Sequence, residues 1–205
     1  MYKTHQPRIS RFALQSADNM AKVMTMVSLS IQQPWHAIGK QLQDVMTEGR
    51  KSRFLWGSKG KLFDYVQKHK ADLFVSLHDY KKNRINLAEL LVRFAEVDGL
   101  GLVKAGFVLQ LCLGKVGCLD IHNLRMYGVN PSDFKYGKNA TLETKLRKAE
   151  LYIAMCEKLG GSEKLWDTWC DNLHKIPVAV STSQASIMCP VFTASLSGHK
   201  CYAYH

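Results

Sequence analysis

An aspartate beside an apolar turn, with a histidine two positions on and an arginine five positions on, is a pattern with chemical uses. The chain carries it in Cys118-Leu119-Asp120-Ile121-His122-Asn123-Leu124-Arg125. A helix beginning after Asp120 would place the carboxylate beside free backbone N–H groups, which favour negative charge. An ionised carboxylate can stabilise a developing cation or take a proton from an amine, but it cannot donate one. Arg125, one turn beyond Asp120, offers a fixed cation to an anionic group, and His122 and Asn123 stand between them to orient a substrate. The plainer reading of the same residues makes Asp120 a helix N-cap, His122 a helix-start residue and Arg125 the partner of a surface carboxylate.

Two further clusters suit phosphate. Asp98-Gly99-Leu100-Gly101 separates two helical patterns, and its glycines permit positive φ and leave backbone N–H groups uncovered. The helix that follows directs its free N–H groups out of this hairpin, with Lys104 nearby, so an anion can sit there. The alternative is an ordinary corner between two helices. Residues 50–61 read as a basic loop in which Arg50, Lys51, Arg53, Lys59 and Lys61 alternate with Phe54 and Trp56. Such a mixture serves phosphate contacts and stacking on an unpaired base. It also fits a solvated loop with one aromatic anchored in the core.

The elements that must hold these groups are helical. Residues 1–15 read as an irregular basic arm. Ser16 or Asp18 caps a helix to about Leu29 through Met20, Val23, Met24 and Val27, with Ile31 as a further apolar position. Trp35–Met46 forms a second helix, ended near Gly49. A short helix at Leu62–Val66 precedes a separate apolar patch at Leu73–Leu77. Asn86 and Glu89 form a capping box for the helix from Leu87 to Val97. The next runs from Leu102 to about Leu113, and Gly114 and Gly117 bound a turn into Asp120. Asn130-Pro131-Ser132 is a turn. Thr141 caps a long amphipathic helix to Leu159, and Ser162 opens a last helix whose Trp166 and Trp169 belong to the core, with Asp167 and Asp171 in solvent. No strand pattern and no repeat is visible. The expected class is all-α, a helical domain over residues 1–175 with an irregular C-terminal extension over 176–205 packed on it.

The stretch Gly99-Leu100-Gly101-Leu102-Val103-Lys104-Ala105-Gly106, followed by Gly114 and then Cys118-Leu119-Asp120-Ile121-His122-Asn123-Leu124-Arg125, resembles the helix-hairpin-helix DNA glycosylase superfamily. The likeness covers about 40 residues closely. Together with the late Leu165-Trp166-Asp167-Thr168-Trp169-Cys170 segment, it is most similar to a viral branch, the α-glutamyl/putrescinyl-thymine pyrophosphorylase-like group, or amino acid:DNA transferases. That resemblance implies an enzyme that acts on double-stranded DNA containing modified thymine. It replaces the pyrophosphate of 5-pyrophosphoryloxymethyl-uracil with a free amino acid or amine. The target base would have to leave the stack. Asp120, Lys104 and His122 would then be catalytic, and Asn123 and Arg125 would bind substrate. Gly99, Gly101, Arg50, Lys51, Arg53, Trp56 and Lys59 would bind DNA. Excision of a modified or damaged base by a monofunctional glycosylase, or DNA binding without catalysis, remains open. The chain departs from the bifunctional glycosylases: Val103 stands where their nucleophilic lysine would be, and Lys104 is rotated from it by one helical step of about 100°.

Composition agrees with a basic folded domain. The 205 residues include 28 Lys and Arg against 17 Asp and Glu, a surplus of 11, and 46% are hydrophobic. A largely disordered chain is excluded, and the charge points to a polyanionic partner. No apolar run is long enough to span a bilayer and no signal peptide stands out, so the expectation is a monomer in the cytoplasm, or in the infected host cell if viral. No cofactor and no metal is expected. The tail's Cys189, His199, Cys201 and His205 lack zinc-site spacing, and the six cysteines read as reduced thiols, with Cys112 and Cys156 buried.

Overall fold

The computed structural model describes residues 2–31, 33, 35–137 and 139–175. The C-terminal extension, with its cysteines and histidines, lies outside the described residues. Every regular element among the described residues is a helix: α1 Tyr2–Ala13, α2 Ala17–Leu29, α3 Trp35–Glu48, α4 Gly57–Lys81, α5 Leu87–Ala95, α6 Gly101–Leu113, α7 Ile121–Met126, α8 Leu142–Lys158 and α9 Gly161–Lys175, with 3₁₀ turns at Gly49–Lys51 and Pro131–Phe134.

Helices α2 and α6 are the centre of the fold. Met20, Val23, Met24 and Val27 on α2 are all fully buried, whereas Ile31 is half-buried. On α6, Leu102 and the run from Ala105 to Cys112 are buried, as befits a helix that is apolar on nearly every side. The α2 helix packs against α1, α3, α4 and α6, while α6 packs against α1, α2 and α5. Each fully buried Leu or Met contributes about 1.5–3 kcal/mol relative to exposure. The α8 helix covers α5, and α9 lies on α8 and α1, so the chain closes on itself. Trp166 is in the core, Asp167 is half-buried rather than solvated, and the side chains of Trp169 and Asp171 lie outside the described residues.

The predicted caps are present. Ser16 Oγ accepts the Asn19 N–H at 3.1 Å. Asn86 Oδ1 accepts the Glu89 N–H at 2.9 Å while Glu89 Oε2 accepts the Asn86 N–H at 2.7 Å. Thr141 Oγ1 accepts the Thr144 N–H at 3.3 Å.

Three expectations are corrected. The N-terminal residues are no irregular arm but helix α1. Gln6, Ile9, Phe12 and Ala13 are buried on one face. Gln6 Nε2 donates to Leu111 O at 3.3 Å and Ser10 Oγ to Cys112 O at 2.6 Å. These two bonds occupy carbonyls in the last turn of α6, where intrahelical donors run out. Second, the short helix and the separate apolar patch are one 25-residue helix, α4. Leu62, Phe63, Val66, Leu73 and Leu77 fall at helical spacing and are all buried, and the polar residues between them are its solvent face. Third, the basic loop is half helical: α4 already begins at Gly57, so Lys59 and Lys61 are helix residues.

Cys112, Cys118 and Cys156 are free and buried. Burial pushes the Cys112 and Cys118 thiols up to about 12 and raises Cys156 further. The thiolate is the reactive form. Alkylation of the native protein at neutral pH, mapped by mass spectrometry, should therefore spare these three cysteines until denaturant is added.

Candidate functional site

The hairpin between α5 and α6 is built as the sequence predicts. The Leu100 N–H donates to Val97 O at 3.0 Å, Leu100 is buried, and Gly99 and Gly101 take φ of 89° and 58°. A side chain at Gly101 would meet nothing within 4 Å, so the start of α6 is open to an approaching group. At Gly99 a Cβ would lie 3.4 Å from Ser58 O. The hairpin therefore rests on the first turn of α4, and two segments some forty residues apart share one surface.

The basic segment divides into supports and free groups. Lys59, expected among the DNA contacts, is only 2% exposed. Its Nζ donates to Leu29 O at 3.2 Å, an end carbonyl of α2, where a helix favours a cation. Burial pulls its pKa down, and the charge of Lys104 adds to the effect. The same Nζ lies 5.1 Å from the ring centroid of Trp56, which is 54% exposed. Lys59 is thus a positioning residue beneath an exposed indole, not a phosphate ligand. Arg50, also expected to bind DNA, is a brace: Nε donates to Asp64 Oδ2 and Nη1 to Leu55 O, both at 2.9 Å. Lys51 and Arg53 are exposed, and Arg53 lies 4.9 Å from the ring of Phe54, the half-buried aromatic of the segment.

The turn carrying Asp120 is pinned from three sides. Tyr152, fully buried on α8, donates its hydroxyl to Gly117 O at 2.8 Å and accepts the Leu119 N–H at 3.0 Å. Burial raises the Tyr152 pKa well above its ordinary value, so the hydroxyl keeps its proton. Gln110 on α6 accepts the Cys118 N–H at 3.2 Å and donates to Ser162 O at the start of α9 at 2.8 Å. Asn123 donates to Cys118 O at 2.7 Å. Asp120 is half-buried, and its Oδ1 accepts the Asn123 N–H at 3.0 Å, capping α7. Burial is what chiefly raises the Cys118 thiol, with the charge of Lys104 lowering it and that of Asp120 raising it.

Of the predicted site residues, Gly99, Gly101 and Trp56 share one surface through Ser58 and Lys59, Lys104 lies in the first turn of α6, and Asp120 stands in the turn that follows α6. Asn123, expected to bind substrate, is instead fully buried and holds the turn. Arg125 is exposed near the end of α7, and the His122 side chain lies outside the described residues. Sequence reasoning missed Tyr152 and Gln110. A tyrosine and a glutamine on helix faces that otherwise read as core were the available signal, since a buried polar tip needs a partner. Among the described residues no group of three His, Cys, Asp or Glu side chains could hold a metal ion, and no helix is long and apolar enough to cross a membrane. No family model matches the chain, and no curated protein or solved structure matches it either.

The division between supports and exposed cations sets a test of the DNA binding that the sequence leads one to expect. Each lost phosphate contact flattens the log–log dependence of affinity on salt by about one unit. The double substitution Lys51→Ala/Arg53→Ala should flatten the slope by up to about two units with melting unchanged, whereas Arg50→Ala should chiefly lower the melting temperature. Fluorescence titration of a labelled duplex at several salt concentrations checks this; an unchanged slope in the double variant removes the segment from the interface.

Proposed function

We propose that the chain is a DNA-base-modifying enzyme of transferase type, with a helix-hairpin-helix glycosylase-like arrangement, acting on 5-pyrophosphoryloxymethyl-uracil in double-stranded DNA. The observation that carries this reading is an open glycine hairpin with Lys104 in the helix turn it starts, an exposed tryptophan on the adjoining basic segment and a half-buried carboxylate in the turn that follows α6. A phosphate clamp alone needs the first two and has no use for the third.

The chemistry follows from the groups. The hairpin N–H groups and the exposed cations Lys51 and Arg53 hold backbone phosphates. Trp56 offers a stacking face to the strand from which the target base has swung out. The amine nitrogen of the incoming group bonds to the exocyclic methylene carbon, and the bond from that carbon to the pyrophosphate oxygen breaks with its electron pair leaving on pyrophosphate. Lys104 attracts that anion. Asp120 accepts the proton the nitrogen sheds, so charge and atoms balance.

The test is mass spectrometry of nucleosides after the full-length protein acts on such DNA in the presence of mixed amino acids and amines. Transfer gives a nucleoside whose mass differs from that of the pyrophosphorylated one by the added group less pyrophosphate. Free base with abasic sites would replace this reading by excision. Unchanged DNA would leave a binding module, the reading that the capping bond of Asp120 favours.

A further inference from the structure

A second feature lies at the opposite ends of α4 and α6 from the glycine hairpin. A half-open cleft of about 410 Å³ opens where the end of α4, the start of α5, the end of α6 and the last turns of α8 meet. That volume falls in the range of small-molecule sites, roughly 300–1,000 Å³. Its lining is of three kinds. Tyr80, half-buried, brings an aromatic side chain, and Leu87 and Ile153 bring aliphatic ones. Lys115 is an exposed cation and Glu157 an exposed carboxylate. Among the described residues neither is in an ion pair.

The cation side is reinforced. Lys81 and Lys82, both exposed, follow Tyr80 directly at the end of α4 and add positive potential there. Asp79, the acid next to them in sequence, is engaged by Arg84 at 3.2 Å. Val116, which follows Lys115 and lines the cleft, is buried with φ of 62°, a conformation that β-branched residues rarely adopt. The chain thus leaves α6 in a strained form with Lys115 at the edge of the cleft.

Each group restricts the ligand. An ionised carboxylate only accepts hydrogen bonds, so Glu157 requires an edge made of donors. Lys115 requires an anion elsewhere on the same molecule, and the aromatic and aliphatic walls suit a flat body between the two. Among the common nucleobases guanine alone presents adjacent N–H donors, at N1 and the 2-amino group, with no acceptor between them. Adenine and cytosine set a ring acceptor beside the amino group, and uracil flanks its single N–H with carbonyls; an acceptor facing Glu157 is repelled.

We infer that this cleft binds a free guanine nucleotide, its base edge on Glu157, its ring against Tyr80, Leu87 and Ile153, and its phosphate toward Lys115. The inference does not rest on the proposed DNA chemistry, since this ligand is neither the DNA nor the incoming amine.

Calorimetric titration of the full chain with GMP, guanosine, AMP and UMP tests it without DNA. The expected result is saturable one-to-one binding of GMP, with AMP and UMP at least about tenfold weaker, the effect of one lost charged hydrogen bond. Lys115→Met should weaken GMP by about tenfold and leave guanosine unchanged, whereas Glu157→Gln should weaken both by about tenfold. Both positions are exposed, so circular dichroism and melting should match the parent. Duplex DNA added afterwards should leave GMP bound. No GMP binding in the millimolar range, AMP or UMP bound as well as GMP, GMP affinity indifferent to both substitutions, or displacement of GMP by the duplex would overturn the assignment.

Discussion

On the proposed chemistry, replacing Asp120 by Asn should lower turnover by about 10²–10⁴-fold, the range of a lost general base, while folding and DNA affinity stay nearly unchanged. The geometry makes this substitution unusually clean. The Asp120 Oδ1 accepts the Asn123 N–H at 3.0 Å, and an asparagine oxygen caps a helix as well as an aspartate oxygen does. The turn itself hangs on Tyr152, Gln110 and the Asn123 amide rather than on the charge of Asp120. Only the negative charge and the proton-accepting oxygen disappear. Nucleoside product would be measured beside duplex affinity and thermal melting. Product formed at near the parent rate would return Asp120 to a purely capping role and take the proton-accepting step away from it.

The largest structural effect should come from Gly106→Ala on α6. A Cβ there would stand 2.7 Å from Gly117 O and 2.9 Å from Tyr152 Cε1. Alanine gains about 1 kcal/mol of helix propensity over glycine. Against that stand overpacking, about 1–3 kcal/mol, and displacement of a buried tyrosine hydroxyl from its bonds, a further ~1–3 kcal/mol. The net expectation is a loss of about 2 kcal/mol, or roughly 4–8 °C in melting temperature for a chain of this size. Because the obstructing atom is backbone in the very turn that leads to Asp120, activity should fall as well. Gly137, exposed and with nothing within 4 Å of an added Cβ, is the control, and Gly137→Ala should change stability by less than about 0.5 kcal/mol. Equal melting of the two variants would show that the turn can give way.

What could be read from the sequence divides along a physical line. Caps and helical stripes were legible because they are local: Ser16, Asn86 with Glu89, and Thr141 each begin a helix where the sequence places it. The glycine hairpin was legible for the same reason. Two errors came from weighing charge above period. Arg8, Arg11 and Pro7 disguised the buried stripe of α1, and the polar stretch between Val66 and Leu73 disguised the continuity of α4. The roles of Lys59, Arg50 and Asn123 could not be read at all, since each depends on a partner supplied by folding: Leu29, Asp64 and Leu55, or the Cys118 carbonyl. A cation in sequence carries no mark of whether it will meet solvent or the end of another helix.

The two bonds from α1 to the end of α6 bear on how the chain is made. Gln6 must wait for Leu111 and Ser10 for Cys112, partners 105 and 102 positions later in the chain. At about 5–20 residues per second, α1 leaves the ribosome on the order of ten seconds before α6 exists to receive it. Through that interval Ile9 and Phe12 have no α6 to cover them, and an unshielded apolar face on a nascent chain invites chaperones and aggregation alike. Arg8 and Arg11 of the same helix are both exposed, and charge of one sign beside an apolar face opposes association.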